Sequence, residues 1–517
     1  MAAMKKLNFI LIIILLLKSS LNFAQPGGLD SSFGNNGKVL KPAGGAFYFD
    51  HSIVIQPNGK IVVVGTNMET ITLVRYNANG TLNRNFGTNG TVTADAGNGN
   101  TGNAVALQTD GKIIIAGTAN HHMILERYKV NGLPDSSFGT NGKVTNNLFD
   151  NGNALAIQSD GKIIVAGDAN NSVGTKSGFI SVARYNTNGS PDLSFAKDGT
   201  VSTDITDPPE YFGSGYATSL AIQEDGKILL AGYNYDEFPQ GGFVVVRYKS
   251  NGKLDNNFGT NGQMHKYNYI NDDRCYSIAV LPNKKILLAG FSYGQQQGTG
   301  FDFVLLKLNP DGSFDSDFGT NGSVLTDFGN NQDFGHKVLV QPDGKIIVAG
   351  YADASIVTEF ALARYNSNGK LDKTFGDSGK VISYLNRPAQ AFSAALQADG
   401  KIVLAGLAAG GVFALARYKD DGSLTDAVIN TSVISKDKRK YFIYPNPFQS
   451  TLNIELNNDV ALKKIINIYD VNGKLRITKS IKGNIQLDVK QLTTGTYFIK
   501  INDENGKLLY SRKVVKQ

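Results

Sequence analysis

Tryptophan is absent from the chain, and cysteine occurs once, as Cys275. A lone thiol excludes an internal disulfide framework. It lies in a strand-like stretch, Cys275-Tyr276-Ser277-Ile278-Ala279-Val280, where a small buried hydrophobe fits better than a reactive group. The missing indoles argue against sites built on indole stacking, such as quinone pockets and tryptophan sugar platforms, although 22 tyrosines can serve the latter. Histidine is scarce too: His51, His265 and His336 are isolated, and the adjacent His121 and His122 would face opposite sides of a strand. That is not metal-ligand spacing. Asp311-Gly312-Ser313-Phe314-Asp315-Ser316-Asp317 is superficially calcium-loop-like but lacks the twelfth-position glutamate and reads as a turn. Neither a Gly-x-Ser-x-Gly elbow nor a phosphate-cradling loop stands out. No catalytic set, cofactor or metal is expected.

Long apolar runs are also lacking. The run at residues 7–17 is 11 residues long, too short for a span of about 20. It follows Lys5 and Lys6, ends at Lys18 and leads into Ser-Ser-Leu-Asn-Phe-Ala-Gln, so residues 1–24 read as a signal peptide cleaved after Ala24. The mature protein is expected to leave the cytosol through the Sec machinery and to be soluble.

The formal charge of +7 is uneven. Residues 436–517 carry 16 Lys or Arg against 7 Asp or Glu, and the leader carries three Lys, which leaves residues 25–435 at −5. An acidic body with a basic tail does not suit nucleic-acid binding, which wants a basic, aromatic groove.

What the chain has in abundance is glycine, 58 residues, much of it in Asn-Gly and Asp-Gly pairs. Such pairs favour tight turns between short strands. The line Asp-Gly-Lys-Ile-Ile-x-Ala-Gly or a close variant occurs seven times, ending at Gly65, Gly117, Gly167, Gly232, Gly290, Gly350 and Gly406. Spacings of 50 to 65 residues lie within or just beyond the range of propeller repeats.

One unit shows the build. Residues 152–158 alternate and predict a strand, Ser159-Asp160-Gly161 turns the chain, and residues 162–167 form a β-branched run apolar on both faces, as in a buried strand. Residues 179–185 make a third strand. In Leu254-Asp255-Asn256-Asn257-Phe258-Gly259-Thr260-Asn261-Gly262 the Leu and Phe pin a short turn, and an outer strand begins near the second glycine. The seventh unit loses this last piece after Arg417-Tyr418. Its counterpart, Leu29-Asp30-Ser31-Ser32-Phe33-Gly34-Asn35-Asn36-Gly37-Lys38-Val39, stands before the first unit, so the N-terminal segment is expected to close the ring and remove an open sheet edge. The fold class is therefore all-β: a seven-bladed β-propeller over residues 25–426, a linker over 427–440 and a small second domain over 441–517.

Arg75, Arg127, Arg184, Arg247, Arg364 and Arg417 recur before Tyr, while the fifth unit has Lys307 and also Asn283-Lys284-Lys285 in place of Asp-Gly-Lys. The joint change suggests that the Arg meets the turn Asp. Arg75 beside Asn58 suggests that a neutral acceptor suffices. A residue repeated once per blade reads as architectural rather than catalytic.

With these lines in place, residues 28–426 resemble the delta-60 repeat family, whose units are read as propeller blades and whose biochemical role is unassigned. The resemblance implies a fold and no reaction.

From Tyr441 the pattern changes. Tyr444-Pro445-Asn446-Pro447-Phe448, about six or seven short alternating strands and turns such as Asp470-Val471-Asn472-Gly473-Lys474 fit a small immunoglobulin-like β-sandwich. Tyr444, Pro445, Asn446 and Pro447, the Gly473-Lys474 turn, the Gly495-Thr496-Tyr497 line and Lys513 in the terminal strand resemble, in order, the C-terminal sorting domain of the type IX secretion system of Gram-negative bacteria. The resemblance implies recognition by the outer-membrane translocon, removal by its sorting peptidase and, in many cargoes, attachment to surface lipopolysaccharide. The expected location is the cell surface or the medium.

Two functions remain at this level. The first is a non-enzymatic module binding a protein, glycan or surface partner through unequal loops on one rim, notably residues 168–178, 204–215, 233–242 and 291–300. The second is a hydrolase or lyase acting on extracellular polymer, with Asp207, Glu210, Asp236 and Glu237 as the carboxylates of the longest irregular stretches.

Overall fold

A computed structural model describes residues 26–42, 52–67, 70–94, 100–169, 179–205, 213–236, 241–267, 273–293, 300–329, 332–354, 357–420, 441–444, 450–456, 463–470, 474–504 and 508–516. The chain divides into two compact units, Met1–Ala427 and Val428–Gln517.

In the first unit the described residues form seven four-stranded antiparallel sheets and no helix. Blade five is representative: Arg274–Val280, Ile286–Tyr293, Phe301–Leu308 and Ser323–Thr326 pair in chain order. The second and third strands are buried on both faces nearly throughout, which is why their sequences run apolar rather than alternate. The outer strand starts after Asn261-Gly262 in blade four and its equivalents, where two successive left-handed residues (φ 52° and 90°) make the tight reversal.

Blade seven is completed by the other end of the chain. Ala389–Leu396, Ile402–Ala408 and Val412–Tyr418 are joined by Lys38–Pro42, which pairs antiparallel with the last of them from Lys38 opposite Ala416 to Pro42 opposite Val412. Seven apolar clusters each span two successive blades, and the seventh joins Phe33, Val403 and Leu415 to Ile53, Ile61 and Val74 of blade one. The innermost strands touch in sequence around a hub, and that of blade seven touches that of blade one. The closed seven-bladed ring expected from the sequence is the one observed.

Each blade carries one corner clamp. In blade three Arg184 Nε donates to Asp192 Oδ2 at 2.6 Å, Arg184 Nη1 donates to the Ser250 carbonyl of the next blade at 2.6 Å, and the guanidinium lies 4.7 Å from the centroid of Phe195. Lys162 of the Asp-Gly-Lys turn reaches the same Asp192 oxygen at 2.9 Å. This corrects the expected Arg partner. The turn aspartate, Asp160, instead accepts from the Lys162 main chain at 3.1 Å and shapes its own turn. The Arg meets the aspartate of the Leu-Asp-x-x-Phe line, eight residues downstream, because the chain folds back there against the third strand. Blade one does use a neutral acceptor, but it is Asn83 rather than Asn58. In blade five Lys307 replaces the Arg and still meets Asp315 at 3.4 Å. The Asp311 segment is a turn, with Ser313 Oγ donating to Asp311 Oδ1 at 2.7 Å.

In the second unit Tyr441–Tyr444, Thr451–Leu456 and Ile485–Asp488 form one sheet, and Leu475–Ile481, Lys464–Asp470, Gly495–Asp503 and Leu508–Lys516 another. Leu452, Ile454 and Leu487 of the first share one apolar cluster with Ile466, Ile468, Ile499, Ile501 and Val514 of the second. Two sheets around a shared core make a sandwich arrangement.

Candidate functional site

The glycine that ends each repeated line has a steric cause. A Cβ on Gly117, Gly167, Gly232, Gly290, Gly350 or Gly406 would lie 1.7–1.9 Å from a carbonyl oxygen of the adjoining innermost strand. Only glycine allows that approach. Directly opposite, the pairing register of the innermost strand slips at Asn103, Thr218, Tyr276, His336 and Phe392, a β-bulge that leaves one residue unmatched. Bulges re-aim side chains. Here all five unmatched residues line a central cavity of about 530 Å³.

Counting back five residues from the position before each turn (Gln56, Gln108, Gln158, Gln223, Leu281, Gln341, Gln397) gives His51, Asn103, Asn153, Thr218, Tyr276, His336 and Phe392. The frame around this position repeats while the position itself does not. His51 lies outside the described residues; the other six line the cavity.

The cavity has two unlike walls. On blades two and three, Asn103 Nδ2 donates to Asn153 Oδ1 at 3.2 Å, Asn153 Nδ2 and Asn151 Nδ2 donate to the two oxygens of Asp168 at 2.5 and 2.7 Å, and Thr118 Oγ1 donates to Asn151 Oδ1 at 2.7 Å. Burial pushes the Asp168 carboxyl up, while its two amide donors pull the other way. On blades four to seven the wall is aromatic. Tyr216 stacks on Tyr233 with centroids 5.0 Å apart, Tyr276 lies 4.5 Å from His336, and Phe392 meets His336 edge-on at 5.2 Å. Burial lowers the His336 imidazole to about 3, so it is neutral at ordinary pH, and its Nε2 has no hydrogen-bond partner among the described residues. Amides facing aromatic rings hold a ligand that has both hydroxyl edges and an apolar face.

A second polar cluster lies between blades five and six, where one oxygen each of Asp302, Asp327 and Asp333 come within 4.8 Å of one another. Burial, then the neighbouring carboxylates, push Asp302 up to about 6 and Asp333 up to about 7.

Of the carboxylates singled out from the sequence, only the Asp236 backbone falls among the described residues. Asp236 ends the second strand of blade four, with its backbone opposite Gly213, and Asp207, Glu210 and Glu237 lie outside the described residues. So do most of the long loops and Ala24. Cys275 is fully buried and its thiol is pushed up to about 12 by that burial, which fits the expected inert hydrophobe.

In the tail, Tyr444 pairs with Asn453, while Pro445, Asn446, Pro447 and Gly473 lie outside the described residues. Lys474 closes its turn through its main chain: its N–H donates to the Asp470 side-chain Oδ1 and its carbonyl accepts from the Asp470 N–H, both at 3.0 Å. Gly495 opens a strand at φ 152°, and Tyr497 is buried with its hydroxyl donating to the Thr493 carbonyl at 2.8 Å. Lys513 lies opposite Phe498 in the last strand.

The hub residues carry no repeat signature, because they are where repetition stops. A comparison of the seven units column by column, seeking the position that varies inside a constant frame, would have found them.

Comparison with known proteins bears on both units. Residues 56–86, 108–138, 158–195, 223–258, 281–318, 341–375 and 397–424 match the "Domain of unknown function (DUF5122) beta-propeller" family, and residues 442–517 match the "Secretion system C-terminal sorting domain" family. No curated protein matches. Among solved structures, the extracellular domains 1-2 of Drosophila Semaphorin 1b are 9% identical, with 76% of this chain and 88% of that one covered at a TM-score of 0.41. The polysaccharide lyase Uly1 is 13% identical, with 75% and 92% covered at 0.42. At such scores neither likeness carries a functional argument.

Proposed function

Because the chain belongs to the DUF5122 β-propeller repeat family and ends in a secretion-system sorting domain, which supports export to the cell surface or medium by the type IX machinery, we propose that it is a non-enzymatic binding module whose ligand site is the hub cavity. The ligand class that suits the walls is a glycan. Sugar rings present an apolar face to aromatic side chains and hydroxyls to amides, and the cavity offers Tyr276 and Phe392 on one side and Asn103 and Asn153 on the other. The observation that carries this reading is the bulged position, which varies from blade to blade inside a constant frame and whose side chain lines the hub cavity.

Delivery follows from the two ends. Residues 1–24 take the chain through the Sec machinery and are removed after Ala24. In the periplasm residues 441–517 are recognised by the outer-membrane translocon, the sorting peptidase cuts between about 426 and 441, and the propeller is released or joined to surface lipopolysaccharide of a Gram-negative cell. The motif of Tyr444, Pro445, Asn446, Pro447, Gly473, Lys474, Gly495, Tyr497 and Lys513 supports this route.

The test is a glycan array and titration with surface polysaccharide on the isolated propeller, alongside Asn153→Ala and Tyr276→Ala variants. Binding by the parent chain, weakened about tenfold or more in each variant at a nearly unchanged melting temperature, supports the reading. Binding that survives both substitutions removes the hub from the account, and turnover of the bound polymer removes the non-enzymatic assignment.

A further inference from the structure

Carboxylates that leave water need a partner. The junction between blades four and five shows how this ring supplies one. Asp273, just before the innermost strand of blade five, is fully buried. Its Oδ2 lies 3.0 Å from Lys266 Nζ on the outer strand of blade four, and its Oδ1 accepts from Ser292 Oγ at 2.5 Å.

The next junction has the same aspartate without those partners. Asp333, which opens Asp333–Val340 of blade six, stands three residues before the bulged His336, as Asp273 stands three before Tyr276. Where Lys266 occurs, blade five has Thr326, whose hydroxyl is bonded to the Tyr365 hydroxyl at 2.7 Å. Where Ser292 occurs, blade six has Ala352. Two further carboxylates take up the space: Asp302 on the third strand of blade five and Asp327 just after its outer strand.

Asp302 is 5% exposed and Asp333 1% exposed, and Oδ1 of each is buried with no hydrogen-bond partner among the described residues. Asp333 Oδ2 accepts from the Phe328 N–H at 2.6 Å. The nearby Lys380 ammonium donates to the Asp327 main-chain carbonyl at 3.0 Å, with the ring of Phe328 5.8 Å away. Buried polar oxygens left without partners are rare in native proteins and mark a missing ion or water.

We propose that Asp302, Asp327 and Asp333 bind a calcium ion that staples blade five to blade six. Three carboxylates with no nitrogen or sulfur donor select a hard dication. Their oxygens lie within 4.8 Å of one another, which is about twice a Ca²⁺–O distance of roughly 2.4 Å. The orphan Oδ1 atoms then become ligands, and the ion does for Asp333 what Lys266 does for Asp273.

The experiment uses the full chain, stripped of metal with a chelator and titrated with CaCl₂ by calorimetry and by thermal unfolding at constant ionic strength. One site is expected, with a dissociation constant of about 0.1–1 mM, the range of extracellular calcium modules, and the melting temperature rises with Ca²⁺. Asp302→Asn and Asp333→Asn keep the shape and remove one charge each. Each weakens the calcium response by about tenfold or more, while the metal-free variants melt no lower than the metal-free parent because repulsion is relieved. Asp273→Asn, at the lysine-neutralised junction, keeps the response. A parent chain indifferent to millimolar Ca²⁺, or a response that persists in both cluster variants, overturns the proposal; should one variant fail to fold, the other decides.

Discussion

The guanidinium of Arg417, in the last repeat, lies 4.7 Å from the ring centroid of Phe33 and 2.8 Å from the carboxylate of Asp30, near the start of the described chain. In each other blade the aromatic partner follows the Arg or Lys by 11 residues, as in Arg247 and Phe258. The closing corner thus reproduces with two distant segments what the other blades build locally, and Arg417 Nη1 continues the ring by donating to the Ala78 carbonyl of blade one at 2.6 Å.

Phe33 and Phe258 are both fully buried, so truncating either should leave a comparable cavity. Phe33→Ala and Phe258→Ala are expected to lower the unfolding free energy by about 3–5 kcal/mol each in denaturant titrations. A negligible loss for Phe33→Ala alone would mean that the N-terminal segment does not close the ring in solution.

Gly290→Ala places a methyl 1.8 Å from the Arg274 carbonyl, against main chain that cannot move without breaking the bulge. It should cost more than about 4 kcal/mol, in the range reserved for severe lesions. Gly344→Ala is the control: φ is 86° but nothing lies within 4 Å, so only the left-handed strain of about 1–2 kcal/mol applies. Equal melting temperatures for the two variants would contradict the steric reading.

The corner aspartates make the ring acid-sensitive. Burial would raise Asp30, but the Ser32 hydroxyl and amide and the Arg417 charge outweigh it and hold the carboxyl at about 2; Asp135 and Asp372 sit at about 2 for parallel reasons. Folded values below the unfolded value of roughly 3.9 mean that this stabilisation is complete above that pH and is lost as pH falls from about 4 to 2. Melting temperatures should drop steeply across that window. Asp135→Asn should lower stability at pH 7 and flatten its own share of the acid slope.

Blade one offers the converse change. Arg75 Nε is buried with no hydrogen-bond partner among the described residues, and Asn83 meets only Nη2, at 3.3 Å. Asn83→Asp supplies the acceptor the other blades have and should add about 1 kcal/mol at pH 7, typical of a hydrogen bond to a charged group after desolvation, a gain that fades as pH falls from about 4 to 2 like that of the other corner aspartates. A loss at neutral pH would show that the clamp does not need its carboxylate.

Removal of residues 441–517 should leave the propeller folded and retained within the cell envelope, as seen by fractionation with an antibody to the ring. Normal appearance outside the cell would contradict the sorting role of the tail. Tyr497→Phe, which removes one hydroxyl bonded to the Thr493 carbonyl, should cost the tail about 1 kcal/mol.

Much of the ring was legible because each blade solves the same problem with the same residues. The third strand Phe179–Tyr185 has the bounds expected from the repeat, and the displaced Leu29 to Val39 piece announces closure through its match to Leu254 to Gly262. The partner of Arg184 was misread because two aspartates, Asp160 and Asp192, are available per unit, and spacing cannot tell which one the folded corner presents. Within any single repeat the hub and the Asp302, Asp327, Asp333 cluster are illegible for a different reason. Each gathers single residues from separate strands, and the bulge that aims Tyr276 or His336 inward is a property of register, which no local pattern records.

Lys38–Pro42 is made by the ribosome before any of the repeats, yet its pairing partner, Val412–Tyr418, belongs to the last of them. Joining them confines nearly the whole intervening chain, and such sequence-distant pairing slows the final stage of maturation far more than it alters the stability of the finished fold. Closure of the ring therefore waits on the far end of the propeller, and a nascent chain that stops short of Val412 leaves Lys38–Pro42 without its partner strand.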